Sequence, residues 1–391
     1  MKKYVLLILF LFVQAGMSGQ DHQLSKDTLS KPIIPKERLD LLKNVDIIFN
    51  MQFANDNFFR DGKFQESAFS NNQMRLEIKG KIHDKVYFRF RDRYTKTTDP
   101  GSRDNVSRST DMAFIGIELS PKTRLNLGKM SADWGGYEFD LNPIDILEYN
   151  DILEYADNFL TGAGITYQAF QNHSFGLQVL NSRVSDFEDV YQDRIPVNLE
   201  KAKVPMAFIS NWRGRFFGGK FETIYSYSYF KETTQKGMNF YSLGHKYQDK
   251  KLTLLYDFKY SNEGIDRKGI ITNMIPGEEV NIQENVSYLE NWLRAEYLIA
   301  PKVNLSLTLM HSNAYAKNMV AADSGYSHIR SSYGFIPSVQ YIPFKDLNLR
   351  FFVSYVGRYY NYSTYAQEQL GQTDYNTGRF SIGFIAPLLI F

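Results

Sequence analysis

The stretch QMRLEIKGKIHDKVYFRFRDRY, Gln73–Tyr94, decides the fold. In its first half, Met74, Leu76, Ile78 and Ile82 alternate with Gln73, Arg75, Glu77, Lys79 and Lys81. In its second half, Val86, Phe88, Phe90 and Tyr94 alternate with Lys85, Tyr87, Arg89, Arg91 and Arg93. A period of two over this length predicts β-strands, and the polar pair His83–Asp84 between them predicts a tight hairpin. Each half is about ten residues, the length a tilted strand needs to cross a bilayer. One face is apolar; the other carries seven cations, six of them away from Lys85 at the turn, and one anion. In a soluble sandwich the polar face would look at water. In a membrane barrel it would line an aqueous lumen, with the apolar face against lipid. The hairpin alone leaves both open.

The N-terminus supplies the compartment. Lys2 and Lys3 precede an apolar run from Tyr4 to Val13, followed by Ala15, Gly16, Ser18 and Gly19. This is the pattern of a secretory signal peptide, expected over residues 1–19 with cleavage near Gly19–Gln20. The run is about ten residues, half of the roughly 20 that a spanning helix requires. There is no cysteine, hence no lipobox and no disulfide framework. With Lys2 and Lys3 set aside, Lys and Arg balance Asp and Glu, which excludes the net basic domain of a nucleic-acid binder. No long apolar run follows residue 20, so no transmembrane helix is expected. Yet the chain holds 30 Phe and 27 Tyr. An exported, polar and aromatic-rich chain points to an outer-membrane barrel, with membrane lipid as its first partner.

The alternation recurs along the chain. Residues 20–43 contain Pro32 and Pro35 and are read as a polar periplasmic lead-in to a barrel over 44–391. Val45–Phe53 is the first strand, then a loop near 55–70, the hairpin, and a loop at 96–108. Ala113–Leu119 turns at Pro121–Lys122 into Leu125 and Leu127. After a long loop at 131–160, Ile165–Ala169 turns at Asn172–His173 into Phe175–Val179. Further strand pairs meet at Arg213–Gly214, Asp249–Lys250, Pro301 and Pro343–Asp346, and the last strand ends at Phe391. The fold expected is an all-β, transmembrane antiparallel barrel of about 16 strands, with 14 to 18 compatible given boundaries uncertain by roughly two to four residues. Long loops at 182–201, 263–284 and 361–376 alternate with short turns, so the long ones belong outside or in the lumen. Pro337 and Pro387 predict bulges. In the last strand Phe380, Ile382 and Phe384 share one face while Leu389 and Phe391 fit the other. Tyr225, Tyr227 and Tyr229 on one strand face, with Trp212 and Trp292 in others, read as a membrane-interface belt.

The signal peptide, the strand count, the terminal Phe391 and Arg124–Leu125–Asn126–Leu127–Gly128–Lys129 followed by Trp134–Gly135 resemble the phosphate-selective porin O and P family, outer-membrane porins of the Bacteroidetes type. The resemblance implies a 16-stranded outer-membrane porin, compatible with a homotrimer, that passes small hydrophilic or anionic, phosphate-like solutes. The terminal Phe391 resembles the signal read by the barrel-insertion machinery. A 22-stranded plugged transporter needs a far longer chain.

An Arg or Lys at the midplane of a lipid-facing wall costs roughly 2–4 kcal/mol. That cost places Arg75, Lys79, Lys81, Arg89, Arg91 and Arg93 in the lumen. Arg124 shares the parity, and Lys129 does not unless its strand bulges or ends before it. The plain alternative is a wet wall whose cations pair with lumen acids such as Glu77. The loop 131–160 carries Asp133, Glu138, Asp140, Asp145, Glu148, Asp151, Glu154 and Asp157 and no Lys or Arg. It stands where, in 16-stranded porins, the loop after the fifth strand folds into the pore. There the acids would face the hairpin cations and set a transverse field that orients dipolar solutes. Two other readings stay open: a surface segment holding a divalent cation through oxygen ligands, or a short helix buried by Ile144, Ile146, Leu147, Ile152 and Leu153.

Three functional classes compete. A porin conducts; a barrel hydrolase needs a nucleophile and base; a surface adhesin or structural barrel needs neither. Among His22, His83, His173, His245, His311 and His328, only His311 adjoins a nucleophile, Ser312. It has no evident third member, so an enzyme is not expected, nor is a cofactor or metal.

Overall fold

The computed structural model describes residues 44–99, 103–196, 198–277, 280–317, 319 and 325–390. The leader, the whole lead-in over 20–43 and Phe391 lie outside the described residues. The strands are β1 (Val45–Arg60), β2 (Lys63–His83), β3 (Val86–Arg93), β4 (Thr110–Ser120), β5 (Thr123–Ser131), β6 (Phe159–Phe170), β7 (His173–Asn181) and β8 (Met206–Phe216). They continue with β9 (Phe221–Lys231), β10 (Gly237–Gln248), β11 (Leu252–Ile265), β12 (Glu284–Ala300), β13 (Val303–Lys317), β14 (Tyr326–Tyr341), β15 (Arg350–Tyr362) and β16 (Tyr375–Leu389). Each is hydrogen-bonded antiparallel to its sequence neighbours, and β1 closes on β16, so the sheet is a closed barrel of 16 strands. Closure leaves no full-length unpaired edge, the condition for a sheet to cross a bilayer.

The deciding hairpin forms as the alternation requires. Arg75 sits opposite Arg93, Glu77 opposite Arg91 and Lys79 opposite Arg89, all on one face. Phe90 and Ile82 lie exposed on the other face. The turn falls at Asp84–Lys85, one residue later than expected. Asp92, whose parity is outward, sits at a register shift and accepts hydrogen bonds from Ser109 Oγ at 2.9 Å and Thr110 Oγ1 at 3.0 Å.

Several expectations are corrected. Residues 55–70 are not a loop: β1 and β2 continue to a two-residue turn at Asp61–Gly62. Both turn residues have positive φ, 49° and 73°. Asp-Gly is the strongest short-range hairpin signal, because the turn twist it permits matches that of the strands. Arg213–Gly214 is not a turn either; both lie inside β8, and the connection is the turn Phe217–Gly219. The last short connection spans 342–349, longer than Pro343–Asp346. Neither proline makes a bulge. Pro337 keeps the β13 register, and pairing to β15 lapses beside it without a shift. Pro387 pairs only with β1, since β15 begins at Arg350 opposite Ile385, so its missing N–H leaves no gap in a ladder.

Side-chain alternation divides the wall. Leu177, Phe208, Val339, Phe351 and Ile382 are exposed on the outside, an apolar band for lipid. This settles β16: Phe380 and Ile382 face out, and Ile385 faces in, packed with Ala54, Ile144 and Phe352. Tyr227 faces out, and Trp212 stacks on His173 at 5.8 Å in an aromatic group on the side of the short turns. Trp292 departs from the belt reading. It is 1 % exposed and points inward, among Tyr137, Ile146, Leu255 and Met310.

Candidate functional site

The loop after β5 covers 132–158 and contains two short helices, α1 (Tyr137–Asp140) and α2 (Asp151–Glu154). It is fastened to inward-facing groups of β8 and β11–β16. Asp257 of β11 accepts the N–H groups of Tyr137 at 2.8 Å and Glu138 at 2.7 Å, the free donors that begin α1. Hydrogen bonds to a charged acceptor contribute about 1.5–3 kcal/mol each. The approach needs a bare Cα: a Cβ on Gly136 would stand 2.3 Å from Asp257 Oδ1. Glu290 accepts the Ile152 N–H at 2.6 Å and so holds α2.

Ion pairs repeat the pattern. Glu138 meets Lys259. Asp140 meets Arg213 at 2.8 Å, Asp145 meets Arg350 at 2.7 Å, and Glu148 meets Arg379 at 3.2 Å. Asp151 is shared by Arg330 and by Arg358 at 2.9 Å, and Asp157 meets Arg267. Beneath these pairs, Ile144, Ile146, Ile152 and Leu153 are buried against inward apolar residues of the later strands, including Met310, Ile336, Val356 and Phe352. The loop therefore fills the half of the lumen bounded by β9–β16.

What stays open is a cavity of about 820 Å³ between the loop and the opposite wall. From the wall it is lined by Arg75, Lys79, Arg89, Arg91, Arg93 and Lys129, with Glu77 and Asp111. Lys96 and Arg108, in the connection between β3 and β4, add two further cations. The loop contributes Asp133, Asp140, Glu154 and Asp157. Arg93 holds Asp111 at 2.7 Å, and Arg91 and Arg75 share the same carboxylate at 3.5 and 3.7 Å. Arg89 holds Glu77 at 2.9 Å.

The expected arrays are thus redistributed. Of the basic set, Lys81 and Arg124 are outside the cavity lining: both pair with Glu118 near the short-turn end, and Arg124 lies 4.8 Å over the Tyr87 ring. Lys129 has outward pairing parity, opposite Ala113, yet is 3 % exposed, pairs with Asp104 at 3.2 Å and borders the cavity. Of the acidic set, Glu138, Asp145, Glu148 and Asp151 do not face the hairpin cations; they turn to the far wall, where buried cations neutralise them. Their partners went unnoticed in the sequence, although Arg213, Lys259, Arg330, Arg350, Arg358 and Arg379 occupy inward positions that strand parity could have singled out. His311 and Ser312 cannot act together: adjacent strand residues point to opposite faces. The His311 ring stacks on Tyr333 at 5.0 Å, while Ser312 is buried on the lumen side. Among the described residues no group of three or more His, Asp or Glu could hold a metal.

The loop carboxylates differ in proton affinity. Burial pushes Asp151 up, but Arg330 and Arg358 outweigh it and hold the group below the usual range. Asp140 is held low in the same way by Arg213. Burial raises Asp133, against the opposing charge of Arg213. It also raises Glu154, with Glu148 adding to the shift.

A channel-shaped lumen narrowed by an inserted loop, inside a closed 16-stranded barrel, is a porin architecture. The phosphate-selective porin O and P family model matches residues 45–385. The chain belongs to this family. As a family member with a closed transmembrane barrel, it is a channel of the outer membrane. Solved structures share the fold at low sequence identity. The outer-membrane channel DcaP of Acinetobacter baumannii matches with a TM-score of 0.57 at 10% identity, covering 88% of this chain and 97% of that one. The anion-selective porin from Comamonas acidovorans matches with 0.57 at 9% identity, covering 88% and 98%. OmpT of Vibrio cholerae, in a trimer form, matches with 0.50 at 10% identity, covering 87% and 98%. No curated protein matches the chain.

Proposed function

We propose that this porin passes small hydrophilic solutes by passive diffusion and prefers anions modestly. The observation that carries the reading is the lining of the cavity between the loop and the hairpin wall. Eight cations border it against six acids, while half of the loop's carboxylates are turned away and neutralised on the far wall. Cations along a narrow passage raise the local anion concentration, because low-dielectric walls focus the field. Asp133, Asp140, Glu154 and Asp157 oppose this, which keeps the preference modest. The same reading includes a homotrimer and delivery by the barrel-insertion machinery through Phe391; deleting Phe391 should lower the heat-modifiable folded protein in the outer membrane.

The test is the reversal potential of single channels in a planar bilayer under a salt gradient. At 0.1 M salt, where the Debye length is about 10 Å, the wild type should favour anions; at 1 M, about 3 Å, the preference should fade. Replacing Arg89, Arg91 and Arg93 together with Gln should move the potential toward cations. A variant with the wild-type potential at 0.1 M would mean that these residues lie off the conducting path.

A further inference from the structure

The wall of the cavity is cationic, but the loop surface opposite is only partly acidic. Phe139, Leu141 and Tyr149 of the loop also line it, with Phe159 at the start of β6 beside them, each half-buried rather than sealed into a core. Phe139 leans on Trp134 with ring centres 5.5 Å apart, and the Arg91 guanidinium lies 5.0 Å over the Phe159 ring. The cation cluster beside this strip is under-compensated. Arg75, Arg91 and Arg93 share the single carboxylate of Asp111. Arg75 is 1 % exposed and lines the cavity, yet among the described residues its Nε and Nη1 make no hydrogen bond, nor does Nε of Arg91, although both Nε atoms lie within ion-pair distance of Asp111. Buried guanidinium N–H groups without acceptors are costly, and a second anion is the group that would satisfy them. Tyr149 lines the same cavity as Arg75, Arg91 and Arg93, so the loop strip and the cation cluster border one space.

We propose that this junction is a binding subsite for amphipathic organic anions, a carboxylate seated on Arg75, Arg91 and Arg93 with its hydrocarbon or aromatic part against Leu141, Tyr149 and Phe159. It rests on the anion-preferring reading above and narrows the solute class within it. A free phosphate would find the cations but could use nothing of the apolar strip. A neutral aromatic would find the strip but leave the guanidinium groups unsatisfied. Only a solute with both parts matches both walls.

The test uses the purified porin in planar bilayers with chloride as the carrier, titrating benzoate, acetate, inorganic phosphate and benzyl alcohol as blockers. Benzoate should half-block the current at a concentration about tenfold below acetate or phosphate, a difference of about 1.4 kcal/mol from partial burial of the ring. Benzyl alcohol should not block. Leu141→Asn, at a half-buried loop position, should raise the benzoate value toward that of acetate and leave acetate unchanged. Arg75→Gln should raise both; because Arg75 is deeply buried, the Leu141→Asn comparison decides if that variant fails to fold. Equal half-block by benzoate and acetate, stronger block by phosphate, or block by benzyl alcohol would each overturn the subsite. The reversal potential separates the two levels: a channel that favours anions but treats benzoate as acetate loses only the subsite, whereas a channel without anion preference loses the parent reading.

Discussion

Arg213 of β8 grips Asp140 of α1 with two hydrogen bonds, 2.8 Å from Nη2 to Oδ1 and 3.0 Å from Nη1 to Oδ2. A residue assigned to a turn by its sequence neighbourhood is thereby the wall anchor for the first helix of the inserted loop. More than a third of each side chain remains exposed, 35% and 41%, so solvent screens the pair. Its contribution to stability is about 0.2–1 kcal/mol. Its larger effect is on charge. Arg213→Gln should leave Asp140 uncompensated at the cavity edge and shift the reversal potential toward cations, with the barrel still folded on a heat-modifiability gel. An unchanged potential would place Asp140 outside the ion path.

Asp151 is the opposite case. Its carboxylate is buried and holds both Arg330 and Arg358. Asp151→Asn leaves two buried guanidinium groups facing a neutral amide, and breaking a buried pair in this way costs about 3–5 kcal/mol. Because β14 and β15 are held by their own ladders, the loss falls on the loop. Larger and noisier single-channel conductance is expected, together with faster protease cleavage within 141–158. A quiet channel of wild-type conductance would show that the apolar contacts alone hold the loop.

Acidification should separate the loop carboxylates into two groups. Asp133 and Glu154 have raised proton affinity, so they lose their negative charge first as pH falls from 7. Both line the cavity, which becomes more positive, so anion preference should grow. Asp151 and Asp140 are depressed. The stability they contribute is present above the unfolded-chain carboxylate value and is lost only as pH falls through their lower folded values. The loop should therefore stay attached while selectivity rises, measured as a reversal potential that climbs before conductance changes. A conductance jump that precedes the shift in potential would contradict this order.

The chain has no cysteine, so single-cysteine variants report sidedness without background. Ser67→Cys, exposed on the long hairpin ending at Asp61–Gly62, should react with a membrane-impermeant maleimide on intact cells. Lys250→Cys, in the short turn between β10 and β11, should react only after permeabilisation. Labelling at Lys250→Cys from outside would invert the topology.

Much of this molecule is legible from local pattern. Period-two alternation in Gln73–Tyr94 and its repeats identifies the strands, because a strand puts successive side chains on opposite faces whatever surrounds it. The sign of each face follows from the cost of charge in lipid, which puts Arg75, Lys79, Arg89, Arg91 and Arg93 on the inner wall without reference to any partner. The Asp61–Gly62 turn was readable too, since an Asp-Gly pair flanked by alternating residues is a local signal. Two of the misplaced elements had other causes. Gly214 imitates a turn residue, but the chain turns at Phe217–Gly219 three residues on. Trp292 imitates an interface aromatic, but it fills space that exists only because the loop lies behind it.

The destination of the acidic loop was decided by tertiary structure. Its eight carboxylates have one local pattern, yet four line the cavity and four are spent on the far wall. Which does which depends on Arg213, Lys259, Arg330, Arg350, Arg358 and Arg379, residues 73 or more positions away in the chain for Asp140 and more than 200 for Asp145, Glu148 and the Arg358 contact of Asp151. Local sequence determines which face of a strand a side chain occupies. Closing β1 onto β16 determines what that face meets, and only then does the balance of charge along the passage exist.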